Sequence, residues 1–198
     1  MKIYTIEDLK TFERDENGRL ICPSGDYSQI KKFGEKCSFG DGSVFGDWSV
    51  FGDWSAFGDW SAFGKWCDFG LNCSFSAGCN FGAGCNFGAG CDFGNGSAFG
   101  EGSSFSVGCY FGQGCRFENN VKFESMSETT LRFLKIDRIG SRLGCTYFFK
   151  TATDIYVRCG CFFGTIADFE RQVNETYARN KKYRKEYLET IKYVKAVM

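Results

Sequence analysis

Cysteine is abundant enough in this chain to suggest chemistry, because the 198 residues include 12 cysteines and no histidine. Thiols pair as disulfides or bind soft metal ions, whereas chemistry that needs an imidazole is excluded. Cys159-Gly160-Cys161 could join a metal site. Because no histidine and no second pair at metal-finger spacing accompanies it, we predict no metal site and no cofactor.

Two short motifs resemble signatures of nucleotide-dependent enzymes. Asp68-Phe69-Gly70 and Asp92-Phe93-Gly94 spell a kinase tripeptide, but the other kinase elements do not accompany them. Gly82-Ala83-Gly84 resembles a phosphate-binding loop, but no Gly-Lys-Ser/Thr follows it. Both patterns are products of an internal repeat, and we predict no catalytic residue.

The tryptophans of the chain recur every six residues, as Trp48, Trp54, Trp60 and Trp66. An aspartate directly precedes three of them, as Asp47, Asp53 and Asp59. Exposed tryptophan offers a large contact area to a protein partner, so these residues are the first candidate partner-binding set. Two other interpretations stay open. The rings could pack against the protein's own N-terminal segment, or be solvent-exposed in a recently duplicated repeat.

A second candidate set is basic. The densest run of positive charge comprises Arg179, Lys181, Lys182, Arg184 and Lys185. It belongs to a basic region, since residues 124–198 carry 14 basic and 9 acidic side chains, whereas residues 33–123 carry 4 and 9. The cluster is either the solvated start of a helix or a contact for nucleic acid or an acidic protein surface.

The tryptophans and most of the cysteines lie in a strict six-residue repeat. Phenylalanine occupies every sixth position from Phe33 to Phe123, which makes 16 consecutive hexads. Glycine follows it in 12 hexads, and the fourth residue after it is cysteine 8 times, serine 7 times and valine once. The register can be extended back to Tyr27 and Ile21. Because six is a multiple of the strand period of two, the phenylalanine and the small residue share one face.

This pattern predicts a parallel β-helix of short strands. Large and small inward residues interdigitate between successive layers. We expect the glycine after each phenylalanine to turn the chain with a positive φ.

The hexads resemble the hexapeptide-repeat family, whose pattern is aliphatic–Gly–x–x–small–x, with phenylalanine here in the aliphatic position. The resemblance covers residues 33–127 and implies a left-handed, triangular parallel β-helix with three hexads per coil, or about five to six coils. Pentapeptide-repeat proteins look similar, but their period of five disagrees with the spacing of this chain.

In an 18-residue coil, thiols stack in columns. Cys67 lies beneath Cys85, and Cys73 beneath Cys91, within reach of disulfide bonds. Since serine takes the same slot, we favour buried thiols acting as small hydrophobic groups, with disulfides or a metal as the alternative.

Three regions are predicted. Residues 1–32 form an N-terminal cap with a short helix that begins at a capping box, Thr5 to Asp8. Residues 33–127 form the β-helix. Residues 128–198 form a small α+β module, with strands at 131–139, 145–150 and 155–163, and helices beginning after Thr165 and near Asn180.

The expected location is a reducing cytoplasm. Lys2, Glu7, Asp8 and Lys10 leave no apolar signal core at the start of the sequence. No run approaches the roughly 18–20 apolar residues of a membrane span, so we predict no membrane contact.

A second resemblance spans most of the chain. Phe-Gly-x-x-Cys hexads followed by Cys161-Phe162-Phe163-Gly164-Thr165 and Phe169 resemble uncharacterised repeat proteins of gut bacteria and their prophages. This resemblance implies a phage context and no assigned activity.

We therefore expect a non-catalytic binding protein, in its most concrete form an inhibitor of a host defence complex of the CRISPR or restriction type. The expected partner is a host protein or nucleoprotein complex, with any direct nucleic-acid contact made by the basic C-terminal module. The alternative is a self-assembling structural element that forms a homo-oligomer. An acyltransferase-like enzyme, which the hexapeptide resemblance also implies, is less favoured because such enzymes typically use a catalytic histidine.

Overall fold

The computed structural model describes residues 1–106, 108–112, 114–118, 120–123, 132–140, 144–160 and 162–198. The chain forms two compact units, residues 1–127 and residues 128–198. Several predicted features lie outside the described residues: Glu124 and Ser127 of the last hexad, Leu131, most of the turn at 140–144, and Cys161.

The first unit is a solenoid of short strands, and β2 to β17 each end at the phenylalanine of a hexad. The strands are β1 Leu20–Cys22, β2 Lys32–Phe33, β3 Cys37–Phe39, β4 Val44–Phe45, β5 Val50–Phe51, β6 Ala56–Phe57, β7 Ala62–Phe63, β8 Asp68–Phe69, β9 Ser74–Phe75, β10 Asn80–Phe81, β11 Asn86–Phe87, β12 Asp92–Phe93, β13 Ala98–Phe99, β14 Ser104–Phe105, β15 Tyr110–Phe111, β16 Arg116–Phe117 and β17 Lys122–Phe123.

These strands form three parallel sheets. The first has the order β1-β3-β6-β9-β12-β15, the second β4-β7-β10-β13-β16, and the third β2-β5-β8-β11-β14-β17. Within each sheet a phenylalanine pairs with the one 18 residues further on, as Phe63 does with Phe81 and Phe81 with Phe99. The predicted parallel solenoid of about six coils is therefore confirmed. Its left hand stays a prediction.

The phenylalanines fill the interior as continuous ring stacks. Phe81 stacks on Phe63 and Phe99, with ring centroids 4.8 and 5.0 Å apart and nearly parallel planes. It meets Phe87, on the adjacent side of the coil, at 5.0 Å and an interplanar angle of 90°. Both arrangements suit the quadrupole of an aromatic ring, and such pairs contribute about 0.5–1.5 kcal/mol each beyond area burial.

The glycine after each phenylalanine was expected to have a positive φ, and that expectation is wrong. The left-handed residues lie two positions later, at the third residue after phenylalanine. The glycine directly after phenylalanine instead allows adjacent coils to approach each other. A Cβ on Gly64 would lie 2.6 Å from the carbonyl carbon of Gly46 and closer still to the amide nitrogen of Asp47. Side-chain volume, and not backbone conformation, therefore selects glycine there.

The small inward position is filled by buried serine hydroxyls and cysteine thiols. Each serine hydroxyl that the structure describes in this position donates to the carbonyl of the glycine three residues earlier, for example Ser61 to Gly58 at 2.9 Å. The thiol of Cys85 lies 3.5 Å from the carbonyl oxygen of Gly64 in the preceding coil. The 11 cysteines in the described residues are free thiols. Buried polar groups in this slot are thus paired with backbone, as their burial requires.

The N-terminal segment packs on the first coil. Helix α1, Ile6–Leu9, has the predicted capping box, in which Thr5 and Asp8 bond each other's backbone. Tyr4 stacks on Tyr27 at 4.9 Å, and Tyr27 stacks on Phe45 at 5.6 Å, so Tyr27 continues the ring stack as expected. Ile21 does not continue it. Its side chain is exposed, because Cys22 and not Ile21 pairs with a core phenylalanine.

The second unit is an antiparallel sheet with two helices. Its strands are β18 Arg132–Ile139, β19 Gly144–Lys150, β20 Ile155–Cys159 and β21 Phe162–Thr165, in that sheet order. The helices are α2 Ile166–Thr176, capped by Thr165, and α3 Lys181–Val197, capped by Asn180. The described residues of this unit form four strands instead of the expected three, because the third predicted strand is divided at Gly160, whose φ is 60°.

The core of this unit lies between the sheet and the two helices. Phe148 and Val157 of the sheet pack with Phe169 of α2 and with Ile191 and Val194 of α3. On each helix, the apolar residues recur at helical spacing and form a stripe that is buried against the sheet. Among the described residues, no helix is both long and apolar enough to cross a membrane.

Candidate binding surface

The candidate surface is built at the corners of the solenoid, where the chain passes from one sheet to the next. The third residue after phenylalanine adopts the left-handed conformation at each corner from Lys36 onward that the structure describes. Its φ is positive at Lys36, Gly42, Trp48, Trp54, Trp60, Trp66, Asn72, Gly78, Gly84, Gly90, Gly96, Gly102, Gly108, Gly114 and Asn120. Glycine and asparagine are the residues that tolerate this conformation best.

Lys36, with a φ of 55°, departs from that rule, and so do the four tryptophans. Their φ values are 63°, 61°, 61° and 59° in chain order. A bulky residue in this region is a genuine outlier, and the left-handed conformation disfavours an L-residue by about 1–2 kcal/mol. The repeat therefore places a disfavoured residue type at four consecutive corners where glycine would be relaxed.

Each tryptophan is also substantially exposed. The exposed fractions are 64% for Trp48, 52% for Trp54, 70% for Trp60 and 49% for Trp66. Their remaining contacts are with the solenoid itself. Trp48 and Trp66 stack with centroids 5.7 Å apart, and Trp60 covers Gly78, where a Cβ would lie 2.5 Å from the indole. The rings thus lie along the corners, and about half or more of each faces water.

The aspartates before the tryptophans join consecutive coils. One carboxylate oxygen, Oδ1, accepts the backbone N–H of the residue 18 positions on: Asp47 from Lys65 at 2.7 Å, Asp53 from Leu71 at 2.7 Å and Asp59 from Ala77 at 2.8 Å. The corner amides have no strand partner inside their own coil, so these bonds satisfy them. Asp47, Asp53 and Asp59 therefore have a structural role in addition to the negative charge they bring to the surface.

The structure brings together only two of the four tryptophans. Trp48 and Trp66 share the corner between the second and third sheets, one coil apart. Trp54 lies between β5 and β6, and Trp60 between β6 and β7, so each occupies a different corner. We call the four tryptophans with Asp47, Asp53 and Asp59 the tryptophan girdle. It occupies all three corners of the solenoid, with two tryptophans one coil apart at the corner between the second and third sheets.

The basic candidates lie in the second unit, in the first turns of α3. Lys181, Lys182, Arg184 and Lys185 are all exposed. Three of them contact other side chains of the unit. Arg184 Nε donates to Asn174 Oδ1 at 2.8 Å, Lys185 Nζ lies 3.6 Å from Glu189 Oε1, and Lys182 Nζ lies 5.7 Å from the centroid of the Tyr183 ring. The positively charged groups of these side chains nevertheless lie near the N-terminus of α3, where the helix dipole disfavours positive charge.

The buried thiols differ in their electrostatics. Hydrogen bonds with the thiols of Cys85 and Cys91 lower the pKa of Cys67 and Cys73, whereas Cys79 has the electrostatics of a structural group. Burial raises the pKa of Cys79 to about 11. A thiol with such a pKa is protonated at neutral pH and is a poor nucleophile. In the ranges that the structure describes, no group of three or more His, Cys, Asp or Glu residues could hold a metal ion.

Comparison with protein families, curated proteins and solved structures finds no match to this chain.

Sequence reasoning identified the tryptophans but missed what is unusual about them. The signal was present in the repeat, because eight hexads have glycine and two have asparagine at the tryptophan position. That substitution pattern marks a left-handed position. The structural role of Asp47, Asp53 and Asp59 carried no comparable signal, since it depends on the residue one coil away.

Proposed function

We propose that this chain is a non-catalytic binding protein that contacts a partner protein through the tryptophan girdle. One observation carries the proposal: four consecutive corners hold an exposed tryptophan in a left-handed conformation. Residues in sparsely populated backbone regions cost about 1–3 kcal/mol each and cluster at functional sites. The solenoid continues through glycine corners elsewhere, so folding alone does not explain the choice of tryptophan.

The chemistry of the girdle favours a basic partner surface. Tryptophan and arginine are the residue types most enriched among interface hot spots, and indole faces attract cations. Asp47, Asp53 and Asp59 place a carboxylate beside three of the rings. The hexad region as a whole is also acidic, with 9 acidic and 4 basic side chains in residues 33–123. Arginine and lysine side chains are thus the expected complement.

The corner with Trp48 and Trp66 is the main contact in this proposal. The two rings belong to consecutive coils and stack on each other, with centroids 5.7 Å apart, so they offer a partner one joint aromatic surface. Trp54 and Trp60 lie on other corners, so a partner reaches them only by wrapping around the solenoid or through a second copy.

A capture experiment with tagged protein tests this function. The wild type and a Trp48→Gly/Trp66→Gly variant are incubated with lysate of the native host, and retained proteins are identified. We expect a specific partner with the wild type and its loss with the variant. Leu71→Ala, which removes an exposed aliphatic side chain at a neighbouring corner, is the matched control. Equal retention by the double variant would contradict the proposal.

The most concrete form of this proposal is an inhibitor of a bacterial defence complex of the CRISPR or restriction type, acting in a phage context. Its support is the resemblance of the hexads to repeat proteins of gut bacteria and their prophages. Expression of the wild type in a strain with an active defence system is expected to raise the efficiency of phage plating. The Trp48→Gly/Trp66→Gly variant should not. Unchanged plating with the wild type across the host's defence systems would remove this form.

Self-association is the second candidate function, and the charge distribution favours it. Residues 33–123 have a net charge of 4 − 9 = −5, and residues 124–198 one of 14 − 9 = +5. Opposite charges on two parts of one chain allow one copy to attract another. Light scattering at several protein and salt concentrations distinguishes the two functions. A monomer at all concentrations would exclude self-association.

A further inference from the structure

The second unit contains an open groove of about 620 Å³ between β18 and α3. Its helix wall consists of Glu186, Glu189, Thr190 and Tyr193, whose spacing places them on one face of α3. Its strand wall consists of the consecutive residues 134–137. Because neighbouring strand residues point to opposite faces of a sheet, a groove that touches all four runs along the edge of the strand.

That edge is the outer edge of the sheet. In the part of the chain that the structure describes, β18 pairs with β19 alone, and the sheet order ends there. Residues 132–136 pair regularly with β19, and the register shifts only between Ile136 and Ile139. In an antiparallel ladder alternate residues direct their N–H and C=O groups outward. The outer edge of β18 therefore presents backbone groups that can bind a further strand.

Helix α3 is fixed beside this edge at both ends. Arg132 Nη1 donates to the carbonyl of Val197 at 2.6 Å, and the amide of Gly140 donates to Glu186 Oε1 at 3.2 Å. Leu134 packs against the core that contains Ile191 of the helix. The groove thus exists before any ligand enters, which reduces the ordering that binding requires.

The helix wall of the groove is acidic, although the region around it is basic. Glu186 and Glu189 supply two carboxylates, and the exposed ring of Tyr193 continues the same face. Glu186 Oε1 accepts the amide of Gly140, and Glu189 lies 3.6 Å from Lys185 in a mostly exposed ion pair, which competes only weakly with a bound cation. The lysine of the strand wall does not oppose them, because Lys135 Nζ lies 3.2 Å from Asp137 and 6.0 Å from the centroid of the Tyr147 ring. A cationic side chain in the groove would meet carboxylates and an aromatic face.

We propose that this groove binds an extended segment of a partner protein that contains lysine or arginine at alternate positions. The segment adds to the edge of β18 as a fifth strand. Its backbone supplies the hydrogen bonds, and its cationic side chains contact Glu186, Glu189 and Tyr193. This mode of recognition gives affinity through the main chain and specificity through alternate side chains. The site is separate from the tryptophan girdle and does not depend on it.

Two fluorescently labelled peptides test the proposal on the full-length protein. The first alternates lysine and valine, KVKVKV, and the second has proline in place of valine, KPKPKP, with the same charge. Proline removes the backbone donors that an added strand needs. Fluorescence anisotropy is expected to show saturable binding of the first peptide and binding of the second that is weaker by about tenfold or more.

Charge-reversal variants then locate the site. Glu189→Lys is expected to weaken binding of KVKVKV by about tenfold, because it replaces an attraction with a repulsion. Glu175→Lys, at an exposed carboxylate of α2, is the matched control and should have no effect. Trp48→Gly/Trp66→Gly should also leave peptide binding unchanged, which separates this test from that of the girdle.

Four results would overturn the proposal. The first three are the absence of saturable binding of KVKVKV, equal binding of both peptides, and unchanged binding after Glu189→Lys. A dimer seen by light scattering that Glu189→Lys dissociates would also overturn it, since the occupant would then be a second copy of this chain.

Discussion

At the scale of the residue, each hexad has two positions that prefer glycine for different reasons. Where glycine follows phenylalanine, from Gly40 onward, it lacks space for a Cβ, because the preceding coil approaches it within contact distance. The third residue after phenylalanine has a positive φ. At the third position there is space for a tryptophan side chain, but its backbone is held in a strained conformation. This strain, which glycine would avoid, makes the tryptophans candidates for a functional role.

Substitution of Trp60, the most exposed girdle ring, tests the conformation directly. Trp60→Gly is expected to be more stable than Trp60→Ala by about 1 kcal/mol, because alanine keeps the left-handed strain while both lose the ring. Chemical denaturation of the two variants measures the difference. At an ordinary exposed position with negative φ, the alanine variant would be the more stable of the two. A Trp60→Ala variant more stable than Trp60→Gly would therefore contradict the positive φ of residue 60.

The thiol of Cys79 predicts a pH dependence of stability. Burial raises its pKa in the folded state to about 11, above the usual value of 9.0. The contribution of the protonated thiol to the free energy of unfolding is therefore fully present below pH 9 and is lost as the pH rises toward 11. Between these limits the wild type should lose about 2 kcal/mol more free energy of unfolding than Cys79→Ser.

Serine is a matched replacement for Cys79, because Ser61 and Ser97 occupy the same slot one coil before and after it. The measurement is denaturant unfolding of both proteins across this pH range. Identical pH profiles would show that the thiol is not buried as described.

At the scale of the element, the solenoid depends on close stacking of coils that have only two-residue strands. Each phenylalanine ring repeats the position of the one 18 residues before it, and the backbone between them pairs in parallel. A defect in one coil therefore disturbs both neighbours.

Two glycines that follow phenylalanine provide a paired test of this stacking. Gly64→Ala is expected to lower the free energy of unfolding by about 2 kcal/mol or more, because its Cβ would collide with the backbone of the preceding coil. Gly34→Ala should be neutral or slightly stabilising, since no atom lies within 4 Å of its added Cβ. Equal effects on thermal unfolding would contradict the stacking of coils described here.

The elements also show how far the sequence predicts this structure. A strict period of six determines the strands, the inward phenylalanines and the 18-residue coil, since only one face can be buried. The period does not show which glycine is required for close packing and which for a positive φ, because glycine is frequent at both the first and the third position after phenylalanine. In the second unit the helix caps were readable, but the division at Gly160 was not. The sequence also does not predict the groove beside β18, since the groove depends on which strand forms the edge of the sheet.

At the scale of the whole molecule, the two units offer different chemistry to partners. The solenoid presents a girdle of aromatic rings and carboxylates, and its ring-stacked interior makes that surface rigid. The second unit presents a basic helix start and, separately, the acidic wall of the groove. A rigid surface loses little conformational entropy on binding, so a few tryptophans are enough to dominate an interface.

The girdle contains all 4 tryptophans of the chain, so a tryptophan label reports on it alone. The most direct test is fluorine NMR of protein labelled with 5-fluorotryptophan, free and bound to its captured partner. We predict resonances of water-exposed rings in the free protein, and shifts of at least the Trp48 and Trp66 signals in the complex. Single Trp→Gly variants assign the signals. A complex in which none of the four resonances changes would contradict the central claim that the girdle is the contact surface.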